Sequence, residues 1–354
     1  MYSPTRSVAI LSLQLAMVLA TAARAQQQPT PTAKSSEGGP VPVITGMMSY
    51  QSNFSPGTTD INPEFDPILL LPIGEKVLIE SEFSMSMSLD RDQGQWGPAV
   101  VDHSVEYLQA NYIAHPNLTV TIGRFLTPFG IYRERLHPLW IRNLQAEPIL
   151  FSLNATSCNG AMLRGAAHVT KEVDVTYATY YSAASTVKVM DSDKQIGFRT
   201  SILLPSRRIE VGVSYNHTMG DNRHNMLGTD FTWNLQRVPL DVRAEALTSK
   251  EVGKSYWLEA AYRLSRLGHS PLLRNTQLVF RQEQYWLPGD PAAALNVING
   301  MGGLPDTGTK RSTIGLNYYL SHGFRFNTAY GGNYATGENS HTWNVGLTYR
   351  FAAL

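Results

Sequence analysis

The feature that most limits this chain is a period-two alternation that recurs along its length. From Trp343 to Phe351, Trp343, Val345, Leu347, Tyr349 and Phe351 fall on one face, and Asn344, Gly346, Thr348 and Arg350 on the other. The same period runs through Arg208–Tyr215, Gly228–Leu235 and Phe324–Gly331. Successive side chains of a strand point to opposite faces, so each segment is a strand with one apolar and one polar row. No segment after Ala25 approaches about 18 consecutive apolar residues, so no helix of this chain is long and apolar enough to cross a membrane.

A soluble β-sandwich would show the same alternation, and three further features argue against it. The alternating segments run to about 10 residues, whereas globular strands average about 5–6. Their apolar rows carry aromatics toward the ends, as in Trp343 with Tyr349 and Phe351. Short connections alternate with long ones. The short ones lie at 73–75, 115–117, 171–172, 205–207, 237–239, 267–270 and 322–323; the long ones near 53–62, 90–98, 127–157, 184–193, 217–225, 248–254, 288–310 and 335–341. The pattern predicts an all-β fold, a transmembrane antiparallel β-barrel of about 16 strands, with both termini at the short-turn end. The segments 63–72 and 154–170 alternate least clearly.

Composition agrees. Charged residues make up 16% against a usual figure of about 25%, replaced by uncharged polar residues, 28 glycines and 17 tyrosines. That mix excludes a disordered chain and a helical bundle. A formal charge of +1 gives no footprint for nucleic acid. One cysteine, Cys158, excludes an internal disulfide and a cysteine zinc cage, and no metal or cofactor is expected.

The first 25 residues read as a signal peptide: Arg6, an apolar run over Val8–Leu19, and Ala23-Arg24-Ala25 as the small-x-small cleavage pattern. Residues 26–40 form a Gln/Pro/Ser-rich leader, and 41–354 the barrel. Export and a barrel together place the chain in the bacterial outer membrane, against lipid.

A closed sheet of about 16 strands is too wide for its own side chains to fill, so a water-filled lumen follows. The longest connection, 127–157, is apolar and aromatic and must bury itself, which predicts that this third external loop folds inward. There it would present Arg133, Glu134, Arg135, His137, Arg142 and Glu147 as a pore constriction; the alternative is packing on a neighbouring subunit or closing the barrel top. Arg164, Arg199, Arg208, Arg243, Arg263, Arg281, Arg325 and Arg350 fall on polar rows as lumen charge. Arg124 shares phase with Leu118, Val120 and Ile122, and a bulge near Gly123 would turn it inward. The polar rows also carry Glu80, Glu82, Asp174, Glu210, Asp230, Asp241, Glu245, Glu259 and Glu283, and pairs such as Arg281/Glu283 sit two residues apart on one face.

Thr121–Glu134 reads TIGRFLTPFGIYRE, with Ala161-Met162-Leu163-Arg164-Gly165 downstream. A strand ending in Gly-Arg-Phe and followed by Pro-Phe-Gly and an acidic residue resembles the phosphate-selective porin O and P family. The resemblance implies a 16-stranded outer-membrane barrel, a homotrimer, an inward third loop, and anion selectivity from lumen arginines and a lysine cluster. Lysines are sparse in the middle of this chain.

The function these features favour is a porin for passive diffusion of small hydrophilic solutes, with an anion or phosphate preference as the finer expectation. The alternatives are a barrel enzyme, though no Gly-x-Ser-x-Gly nucleophile motif is present, and a surface adhesion or structural barrel. A gated transporter would need a plug domain. His217 and His224 share one expected outer loop without metal-ligand spacing, and Cys158 reads as inert.

Overall fold

A computed structural model describes residues 41–353 apart from 154–156, 221–222, 236, 269, 290–306 and 336–338. Sixteen long strands run β1 (Val43–Ser55), β2 (Thr58–Ile73), β3 (Val77–Asp92), β4 (Val100–His115), β5 (Leu118–Leu126), β6 (Ser157–Thr170), β7 (Val173–Ala183), β8 (Gln195–Leu204), β9 (Ile209–Thr218), β10 (His224–Leu235), β11 (Leu240–Ser249), β12 (Gly253–Arg263), β13 (Thr276–Trp286), β14 (Thr309–Tyr319), β15 (Phe324–Ala335) and β16 (Asn339–Ala353). Each pairs antiparallel with its neighbour in sequence, and β1 pairs with β16 from Ile44↔Ala353 to Phe54↔Trp343, which closes the barrel. Gln95–Trp96 pairs with Arg91–Asp92 and extends the β3–β4 hairpin.

The polarity of this barrel is the reverse of a soluble protein's. On β8, Gln195, Arg199 and Ser201 are buried while Ile196, Phe198 and Ile202 are exposed. On β13, Arg281 is 1% exposed and its neighbour Phe280 51%. Water would penalise such an arrangement, because the apolar rows gain nothing by facing it. A hydrocarbon surround with a polar interior reverses that balance. Exposed aromatics gather toward both ends of the strands. Trp286, Tyr330, Tyr334 and Trp343 lie toward the long-loop end, and Tyr112, Tyr177, Trp233 and Phe326 toward the short-turn end. This is the distribution of two interfacial girdles. Tyr349 departs from it: it stacks on Phe324 at 4.3 Å and is buried.

Several expected connections are shorter or longer than the sequence suggested. Residues 53–62 contain a tight turn at Pro56-Gly57, so β1 and β2 pair up to Ser55↔Thr58. The segment expected as a turn at 267–270 belongs to a longer connection with two short helical pieces, Leu264–Arg266 and Pro271–Arg274. Residues 1–40, covering the expected signal and leader, lie outside the described residues.

Candidate functional site

The connection between β5 and β6 binds to the buried rows of β9–β16. Gly130 donates its N–H to Ser214 Oγ at 3.0 Å, and the N–H groups of Ile131 and Tyr132 both donate to Glu245 Oε2 at 3.2 Å. Ile149 N–H donates to Glu283 Oε2 at 2.7 Å. The carbonyls are held by cations from the wall: Arg281 to Ala146, Arg311 to Glu147, Arg243 to Ile141, and Arg325 to Leu139 and Arg142 at 2.6 Å each. Asn317 Nδ2 reaches the Asn143 carbonyl at 2.8 Å, and Asn143 Nδ2 reaches Glu259 Oε1 at 2.8 Å. Backbone polar groups away from water need partners, and here charged side chains of the barrel supply them.

An apolar core reinforces this attachment. Phe129, Ile131, Tyr132, Leu136, Ile149 and Leu150 pack with Met226, Leu247, Trp257 and Tyr285 of the wall. Tyr132 meets Trp257 and Phe151 edge-on at 5.9 and 5.3 Å. Two glycines make the fit possible. Gly130 has φ +64°, and a β-carbon there would strike the Glu245 carboxylate. Gly228, on the buried row of β10, leaves the space that the Phe129 ring occupies.

Toward β3–β6 the loop reaches with side chains. Glu134 Oε1 accepts from Arg164 Nη1 at 2.6 Å. His137 Nε2 lies 3.6 Å from Glu82 and 3.9 Å from Glu106. Burial pulls the His137 imidazole down, but the two carboxylates outweigh it and the net shift is upward. A cavity of about 190 Å³ lies here, lined by Glu80, Glu82, Glu134, His137, Arg164 and Gln109 among others.

The expected constriction residues therefore divide. Glu134 and His137 line this cavity. Arg135 is partly exposed and pairs with Glu210 at 2.5 Å. Arg133 is buried with its guanidinium 3.6 Å above the Phe151 ring, and Arg142 is buried near Tyr132 and bonded to Glu147 at 3.0 Å and to the Leu136 carbonyl. These last two hold the loop's own shape.

The expected lumen arginines divide likewise. Arg199 is buried on Asp230 (2.7 Å) and Glu210 (3.3 Å), Arg281 on Glu283 (2.9 Å) and Glu259 (3.7 Å), and Arg325 on loop carbonyls. Arg243 pairs with Asp241 at 2.7 Å. Arg208, Arg263 and Arg350 are exposed at the short-turn end, in phase with buried Glu210, Glu259 and Thr348 of their own strands. Arg208 has φ +51° and completes the turn before β9, and Arg263 lies over the Tyr319 ring at the end of β12. Arg124 is also corrected. Pairing with β4 and β6 runs unbroken through Gly123, so no bulge turns Arg124 inward. It stays opposite exposed Leu108 and is covered by the 184–194 connection, where it donates to the Asp191 carbonyl at 2.7 Å.

Sequence reasoning missed three acidic residues near the cavity: Glu64, Asp66 and Glu106. A register shift places Glu106 as an extra residue between Val105 and Tyr107, opposite the Glu82/Phe83 step, and such bulges re-aim side chains. The Glu64-Phe65-Asp66 alternation was the available signal for the other two. The two histidines of the expected outer loop engage separate neighbours, His217 with Asn225 and His224 with Thr218, and no metal-ligating group of three or more occurs among the described residues. Cys158 is buried among Phe125, Met162, Ala178 and Tyr180.

No protein-family model matches the chain, and no curated protein sequence matches it. Its fold is similar to solved porin structures. OprB of Pseudomonas putida in its high-pH structure aligns with TM-score 0.59 at 10% identity, over 88% of this chain and 94% of that one. A loop L8 deletion of OmpT, an outer membrane protein of Vibrio cholerae, aligns with TM-score 0.52 at 10% identity, over 88% and 99%. A mutant Rh. blastica porin aligns with TM-score 0.51 at 11% identity, over 88% and 100%. The chain has a porin-like closed barrel of sixteen strands; the likeness does not single out the phosphate-selective O and P family.

Proposed function

We propose that this chain is an outer-membrane channel for passive diffusion of small hydrophilic solutes. The observation that carries the reading is the inverted polarity of a closed sixteen-strand barrel: apolar rows outward, hydrogen-bonding and charged rows inward. A barrel of that width leaves an aqueous path, and OprB and the Rh. blastica porin support the reading by fold. On this reading residues 127–153 lie within the barrel and narrow it, with Glu134, Arg135 and His137 facing the solute and Arg133, Arg142 and Glu147 fixing the loop. Residues 1–25 serve as the export signal, so the mature chain begins at Gln26, and the family resemblance makes the assembly a homotrimer. The arginines on which an anion or phosphate preference would rest are held by carboxylates and loop carbonyls.

The test is purified protein in a planar bilayer. Stepwise conductance is expected, N-terminal sequencing of exported protein should start at Gln26, and cross-linking in detergent should stop at three copies. Folded protein that inserts and carries no current would overturn the channel.

A further inference from the structure

The interior charges are unevenly shared. Around β8–β16 the buried arginines each sit on acceptors, as described for Arg199, Arg281 and Arg325. On β2–β4, Glu64, Asp66, Glu80, Glu82 and Glu106 form a continuous acidic wall, and none has an arginine or lysine within salt-bridge distance among the described residues. The cation nearest to them is His137, Arg142 acts on Glu64 from farther away, and the nearby Arg164 is engaged by Glu134. Glu80 accepts two amide hydrogens, from Gln109 and Asn111, at 2.7 Å each. Glu64 accepts from Ser49 and Ser84.

Glu82 and Asp66 are different again. They are 1% and 2% exposed, and Glu82 Oε2 and Asp66 Oδ1 have no hydrogen-bond partner. Such oxygens are costly to leave unmatched. Glu82 also lines the cavity beside the loop, on the side where the loop's contacts are side chains and not backbone. Acidic groups concentrated on one wall of a narrow aqueous passage focus the field there and raise the local concentration of positive ions.

We propose that solutes pass between the loop and this acidic wall, and that the channel selects small cations, including solutes carrying an ammonium group. The proposal rests on the channel reading above and gives that channel its selectivity.

The experiment is the zero-current potential of the full exported protein in a planar bilayer under a KCl gradient. The dilute side is kept near about 0.1 M, where screening extends about 10 Å. Wild type is expected to pass potassium over chloride. The double variant Glu82→Gln/Glu106→Gln is expected to lower that ratio by about twofold or more. Glu80→Gln, which keeps a hydrogen-bonding side chain at a less buried position, is expected to lower it by less and decides the matter where the double variant does not fold. Chloride preference in wild type, or folded, conducting variants with an unchanged ratio, would overturn the proposal and leave the channel standing. Absence of any current from folded wild type would instead remove the channel itself.

Discussion

Arg281 on β13 and Glu82 on β3 are buried to the same degree, each about 1% exposed, yet their surroundings are opposite. Arg281 has Glu283 at 2.9 Å, Glu259 at 3.7 Å and the Ala146 carbonyl at 2.6 Å. Glu82 has an imidazole at 3.6 Å and one oxygen without a partner. The same contrast separates the walls that bear them. The β9–β16 wall spends its charges on fixing the loop, and the β2–β4 wall turns two of its carboxylates, Glu80 and Glu82, to a cavity. Burial alone does not tell a structural charge from a working one; the partners do. A buried ion with full partners is a bracket, whereas a group of like charges that shares one imidazole remains available to whatever passes.

The contrast can be broken by mutation. The largest effect is expected at Arg281→Leu, which takes the cation from buried Glu259 and leaves Glu283 to Arg311 at 2.9 Å; removing one partner of a buried pair costs about 3–5 kcal/mol. Urea unfolding in lipid vesicles should show that loss, together with conductance altered by a freed loop. Wild-type stability would mean that Arg281 is no bracket. Phe280→Arg, one residue away on the exposed row, is expected to cost about 2–4 kcal/mol if it sits near the bilayer midplane. Equal folding yield into vesicles and into detergent would argue against a lipid-facing row. On the other wall, Glu82→Gln removes a carboxylate with one unpartnered oxygen and an imidazole no nearer than 3.6 Å, so stability should stay within about 1 kcal/mol of wild type. A loss as large as that of Arg281→Leu would erase the distinction between the walls.

Much of this was legible in the sequence, for identifiable reasons. Strands such as β9, β10 and β16 alternate strictly because one row meets lipid and the other the interior, so their pattern carries the fold. β2 was obscure because Pro63 and Pro67 interrupt it: its ladder with β3 skips Asn62-Pro63 and Asp66-Pro67, as residues without an N–H require. The aromatic loop announced that it must be buried, but its seats are remote in sequence, Phe129 against Gly228 and Leu144 against Gly315. A glycine on an alternating row gives no sign of what fills the space. The site was least legible where orientation depends on one backbone irregularity. Glu106 owes its place to a register shift, and Arg124 keeps its outward phase because the pairing through Gly123 is unbroken on both sides. The place of Glu106 does not follow from counting by twos, whereas that of Arg124 does, because the bulge expected near Gly123 does not form.

The smallest expected effect concerns the contact that joins the two walls, His137. The imidazole is pulled down by burial and by Arg142, and pushed up more strongly by Glu82 on β3 and Glu106 on β4. Its folded-state value therefore lies above the ordinary one of about 6.5. A raised value means that the folded protein holds this proton more tightly than the unfolded chain does. The stabilisation is fully present below the ordinary value and is lost as pH rises through the folded one. Thermal unfolding midpoints of wild type should accordingly fall, relative to those of His137→Gln, as pH is raised from weakly acid through neutral and beyond. The uncharged variant supplies the baseline, since the carboxylates themselves titrate in both proteins. Parallel curves would mean that the loop meets the acidic wall without a charge on His137, and the link between the two halves of the barrel would then be one of packing.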